Sequence, residues 1–177
     1  MVPDSTVRAL ELLKGSVQMV VNDLPPDLVP RFREDPAFQV IEAPGGNYSY
    51  LGLNVEDPTL ADVRVRRALA LAIDRERLVR TIWRGLGVVT ETMLPPTSWA
   101  HHSGLAPLRH DPAQAGRLLD EAGFPDPDGP GGRPRLTLQY KTSSSEIALL
   151  QAQAIQQLFA HGTHETFQGT LGNLSAG

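Results

Sequence analysis

The sequence contains no cysteine, so disulfides, thiolate zinc sites and cysteine nucleophiles are all excluded. Its uninterrupted apolar runs are only a few residues long, far short of the roughly 20 that a membrane-crossing helix needs. Nor is there an excess of positive charge: 16 basic against 20 acidic side chains leave a net charge of −4, which argues against a general nucleic-acid or anionic-membrane binder. The start, Met1-Val2-Pro3-Asp4, lacks the charged and apolar regions of a secretory signal, and taken literally it describes a soluble protein kept inside the cell. No nucleophile elbow, phosphate-cradling glycine loop or dinucleotide fingerprint occurs, so acyl transfer, ATP hydrolysis and hydride transfer lack required parts.

What is present is material for a core. At 41% hydrophobic and 20% charged, the 177 residues can form one domain or two small ones. Asp4 opens a helix whose stripe is Val7, Leu10 and Leu13, ending at Gly15. Residues 17–21 and 38–43 read as short strands, separated by a helical turn over 27–33. In residues 47–54, strand alternation puts Tyr48 and Tyr50 on one face and Leu51 and Leu53 on the other, a core face and an aromatic wall. A lobe boundary is expected near 54–58, after which the pattern turns helical.

Asp62 caps a helix with Val65, Leu69 and Ile73 inward, and Asp74 caps another with Leu78, Ile82 and Trp83 inward. Residues 94–109 are a proline-bearing loop. Asp111-Pro112-Ala113-Gln114 combines an N-cap, a first-turn proline and a capping-box glutamine, and Gly123 ends the helix it starts. Residues 125–134 form a surface loop, 135–140 a half-buried strand, and a final helix carries Ile147, Leu150, Ala154 and Leu158 inward. Beyond Ala160 the chain is polar and rich in Gly and Thr, and a disordered tail is expected.

Several constellations invite a chemical reading, and most have a plainer one. His161 and His164 beside Glu165 resemble metal-ligand spacing, but no third ligand is near, and a solvated tail is favoured. The adjacent His101 and His102 diverge on regular structure and read as loop surface. Asp126, Asp128 and Gly129 suggest a calcium loop, yet Pro130 stands where an oxygen ligand is required, so a turn is favoured. Arg64, Arg66, Arg67, Arg75, Arg77, Arg80 and Arg84 could seat phosphates, but their acidic neighbours point to ion pairing. The face bearing Tyr48 and Tyr50, with the polar exit Asn22-Asp23, suits a ligand of variable chemistry; the plainer alternative is a strand whose tyrosines cover a helix.

Three runs stand in order: Thr6-Val7-Arg8-Ala9-Leu10-Glu11-Leu12-Leu13-Lys14-Gly15, then Val20-Val21-Asn22-Asp23-Leu24-Pro25, then Asn47-Tyr48-Ser49-Tyr50-Leu51-Gly52-Leu53-Asn54. With the helix pair spanning residues 60–75 and the stretches His110-Asp111-Pro112-Ala113-Gln114-Ala115 and Leu118-Leu119-Asp120-Glu121-Ala122-Gly123-Phe124, the chain resembles the family 5 extracytoplasmic solute-binding proteins, the peptide-binding components of ABC importers. That resemblance implies an α/β fold, a piece of a bilobal periplasmic-binding-protein-like (type II) architecture with an incomplete mixed sheet plus helices. It implies residues 1–54 as part of a first lobe, 55–160 as part of a second, and 161–177 as a divergent tail. It implies no catalysis and no cofactor, a peptide or other small-molecule ligand, permease subunits as partners of a complete extracytoplasmic parent, and no nucleic acid or membrane insertion. Ligand contact falls by resemblance on Asn22, Asp23, Leu24, Asn47, Tyr48 and Tyr50. The rival expectations are a free-standing, non-enzymatic interaction module and a metal-dependent hydrolase using His161 and His164.

Overall fold

A computed structural model describes residues 4–22, 24–126, 128–129, 133–162 and 166–170. Its helices begin where short acidic side chains satisfy the orphan amides of a first turn. Helix α1 (Ser5–Leu13) starts at Asp4, whose carboxylate accepts from the Val7 N–H at 2.8 Å. The expected stripe does not face a core: Val7 and Leu10 are 42% and 45% exposed, and the residue α1 buries is Ala9. Helix α2 (Val29–Glu34) tolerates Pro30 in its first turn, where no intrahelical donor is lost, and sets Phe32 edge-on to Phe38 with ring centroids 5.1 Å apart.

A short helix that the sequence reading did not anticipate, α3 (Pro58–Ala61), is capped by Asp57. Then come α4 (Val63–Ala72), capped by Asp62, and α5 (Arg75–Thr81), capped by Asp74. A long loop leads to α6 (Pro112–Glu121), where Asp111 accepts from the Gln114 N–H at 2.8 Å. The capping box is not closed in the expected way, because the Asp111 N–H donates to the Leu71 carbonyl at 2.9 Å. Gly123, at φ +91°, ends α6 with two back-bonds: its own N–H to Asp120 at 3.1 Å and the Phe124 N–H to Leu119 at 2.8 Å.

The core lies where α4 meets α6, the most extensive helix contact of the described residues. The helices run antiparallel: Arg64, at the start of α4, donates to the Glu121 carbonyl at 2.6 Å, while Leu71, near its end, meets Asp111. Val65, Ala68, Leu69 and Ala72 interlock there with Ala115 and Leu119, and small residues at the seam let the backbones approach. Strand β1 (Thr137–Lys141) adds Leu138 to this cluster, and α7 (Glu146–Gly162) adds Ile155 and Phe159. The buried stripe of α7 is therefore offset from the expected one; Leu150 is 46% exposed.

Where the sequence reading expected strands at 17–21, 38–43 and 47–54, the structure has extended chain without a ladder partner among the described residues. Met19 and Ile41 are exposed accordingly. The described sheet has two strands, β1 and β2 (Thr166–Thr170), paired in parallel with Thr137 opposite Thr166. Of the segment 161–177 expected to be disordered, His161 and Gly162 continue α7 and 166–170 form β2, while 163–165 and 171–177 lie outside the described residues. No described helix is long and apolar enough to cross a membrane.

Candidate functional site

Residues 47–54 keep strand alternation without a strand partner. Leu51 and Leu53 are half-buried against the α4–α6 core, and Tyr48 and Tyr50 point away from it, 44% and 76% exposed. The two rings lie side by side with centroids 5.6 Å apart and planes tilted by 38°. They form an open aromatic surface with two hydroxyls, on the face opposite the leucines that alternate with them.

Leu51 and Leu53, with Leu69, Ile73, Leu108 and Arg75, line a cavity of about 160 Å³. Arg75 closes one side of it through a two-pronged pair with Glu91, at 2.8 and 3.2 Å, and donates to the Thr90 carbonyl at 3.2 Å and to the Leu108 carbonyl. A planar guanidinium suits this task because its donors diverge in a fixed fork. The sequence reading missed the clamp: Arg75 was one of seven arginines on two helices, and nothing local marks Glu91, 16 residues away, as its partner.

The other predicted contact residues are placed less closely. Asn22 is exposed with φ +59°, a turn conformation that Asn tolerates, and Leu24 is half-buried. Asn47 is exposed beside Tyr48. No hydrogen bond or ring contact joins Asn22 or Leu24 to the tyrosines, and Asp23 lies outside the described residues.

The plainer readings hold for two constellations. Asp126 accepts from the Gly129 N–H at 3.1 Å and faces Arg135 at 3.6 Å, so this loop is a turn salt-bridged to a cation. Three of the seven arginines are engaged close by in sequence: Arg64 pairs with Asp62 at 2.6 Å, Arg66 donates to the Leu60 and Ala61 carbonyls at 2.8 Å, and Arg80 meets Glu76 at 3.6 Å. His164 and Glu165 lie outside the described residues, and among those described no group of three or more His, Asp or Glu assembles as a metal site.

A family model described as bacterial extracellular solute-binding proteins, family 5 Middle, matches residues 1–161. The chain is 34% identical over 122 residues to the dipeptide-binding protein of Escherichia coli, a match covering 69% of this chain and 23% of that protein. It is 33% identical over 125 residues to heme-binding protein A of Haemophilus influenzae, covering 71% and 23%. The chain thus spans about a quarter of the length of the curated relatives it matches. Among solved structures, the periplasmic binding protein DppA of Helicobacter pylori in complex with the peptide STSA superposes with a TM-score of 0.80 at 23% identity, over 98% of this chain and 32% of that one. NikA of Brucella suis in complex with Fe(III)-EDTA gives 0.81 at 23% identity, over 98% and 36%. The fold is that of a portion of a periplasmic binding protein.

Proposed function

The chain belongs to the family 5 bacterial extracellular solute-binding proteins, which bind and do not catalyse, and from that premise we propose that it is the middle portion of the binding component of an ABC importer for peptides or similar small solutes. In this reading residues 1–54 are part of one lobe and 55–160 part of the other, in a bilobal type II arrangement that closes on its ligand by hinge motion where 47–54 hands over to α3. Asn22, Asp23, Leu24, Asn47, Tyr48 and Tyr50 line one wall of the cleft. The complete protein works outside the cytoplasm and delivers its ligand to permease subunits.

The observation that carries this reading is the outward-facing tyrosine pair on a segment anchored by Leu51 and Leu53. Aromatic faces and hydroxyls tolerate varied side chains, and extended backbone offers a peptide unpaired amides and carbonyls. Peptide is preferred as the solute because relatives named for di- and tripeptides recur among the curated matches. A single wall cannot desolvate its ligand, so this chain alone binds weakly.

The test is a chimera in which this chain replaces the matching quarter of the E. coli dipeptide-binding protein, screened by thermal shift against di- to pentapeptides. A peptide-dependent rise in melting temperature is expected. Replacing Tyr48 or Tyr50 with Ala lowers affinity about 5-fold each, the size of one aromatic contact of about 1 kcal/mol. Undiminished affinity in the double variant overturns the assignment.

A further inference from the structure

Arg75 stands at the first position of α5, where the positive end of a helix disfavours a cation. Helix formation therefore does not account for its presence there. Its guanidinium instead reaches three points of the long loop that follows. Nη1 lies 3.2 Å from the Thr90 carbonyl, Nη1 and Nη2 meet the Glu91 carboxylate at 3.2 and 2.8 Å, and Nη2 also donates to the Leu108 carbonyl. One side chain thus draws together two stretches of the loop that are far apart in sequence. The Arg75–Glu91 pair is partly buried, which lessens the screening that weakens ion pairs at the surface.

Arg75 and Leu108 line the same cavity as Leu51 and Leu53. A void of about 160 Å³ leaves those leucines without partner atoms on one side, so where they settle depends on the cavity's rim. Segment 47–54 has no ladder among the described residues that would fix it otherwise. Tyr50 in turn leans over the backbone between the two leucines: a β-carbon built on Gly52 would lie 3.5 Å from its Cε2. We propose that Arg75 is a positioning residue for the face that bears Tyr48 and Tyr50. By holding Thr90, Glu91 and Leu108 together it sets the floor on which Leu51 and Leu53 rest, and with them the two rings. For its effect on binding this inference rests on the peptide-cleft reading above; the positioning itself requires no ligand.

The test is Arg75→Lys, which keeps the stem and the charge, so that the chain folds, but replaces the planar fork with a single ammonium that cannot span the same oxygens. In NMR spectra of the 177-residue chain, the nuclear Overhauser contact between the Tyr48 and Tyr50 rings is expected to be lost in this variant, while contacts within the α4–α6 seam persist. An unchanged ring contact overturns the proposal. In the chimera with the E. coli dipeptide-binding protein, Arg75→Lys is expected to lower peptide affinity between about 5- and 25-fold, the loss of one tyrosine contact or of both. In the Tyr48→Ala/Tyr50→Ala background it lowers affinity no further, because the arginine acts through the rings. An equal loss in that background overturns the positioning role in favour of a general structural one. A chimera that binds no peptide sinks the peptide reading alone, and the ring contact still decides the positioning.

Discussion

The guanidinium of Arg135, with 8% of its side chain exposed, sits between α6 and the turn at 126–129. Its Nη1 lies 3.1 Å from both the Asp120 carboxylate and the Gly116 carbonyl, and its Nη2 lies 3.6 Å from Asp126. Its Nε is buried without a hydrogen-bond partner among the described residues, so part of the cost of burying this cation is not recovered. The partners differ in what they contribute. Asp126 is 13% exposed and loses an interior counter-charge if Arg135 goes, whereas Asp120 is 54% exposed and water replaces the arginine readily. Arg135→Ala is therefore expected to cost about 3 kcal/mol of unfolding free energy in urea titrations. Asp120→Asn costs less than about 1 kcal/mol, and equal losses from the two would refute this account.

Among the elements, α4 has a cap that doubles as a titrating group. Asp62 accepts from the Arg64 N–H at 2.8 Å and from the Arg64 guanidinium. The side-chain bonds from Arg64 first, and then its backbone amide, pull the Asp62 carboxyl from its ordinary 3.8 to about 2. A value depressed on folding means the ionised form is stabilising, fully so above 3.8, with the contribution lost as pH falls through about 2. Asp62→Asn keeps a capping oxygen but not the charge, so it should flatten the acid-side stability profile in that window. Thermal melts from pH 5 downward would show it; a variant whose profile parallels the parent's would count against the assignment. The caps at Asp4, Asp62, Asp74 and Asp111 were all legible because acceptor and amide lie within three residues of each other. Face choice in α7 was not, because Ile147, Leu150, Ile155 and Phe159 give that helix apolar residues on more than one side. Which side is buried depends on α4 and β2, the elements α7 packs against.

At the scale of the whole molecule, order is uneven. The α4–α6 seam is buried and doubly tied, while 17–21, 38–43 and 47–54 belong to no described ladder. Hydrogen exchange should separate them: amides of residues 66–72 exchange slowest, and those of 47–50 exchange orders of magnitude faster. Comparable protection in both would mean that 47–50 is paired. The same unevenness explains what could be read in advance of the candidate site. Alternation across 47–54 is a property of eight consecutive residues, so the outward tyrosines were visible in the letters alone. Strand pairing and the Arg75–Glu91 clamp depend on residues that only tertiary structure brings together.

The long loop between α5 and α6 presents Trp99, 98% exposed, while the chain's other indole, Trp83, is half-buried beside α5. Two fluorophores in such different surroundings make a built-in optical gauge. Acrylamide should quench the wet one freely and the sheltered one poorly, and anything that comes to rest on the loop would announce itself as a blue shift in emission, with no label attached.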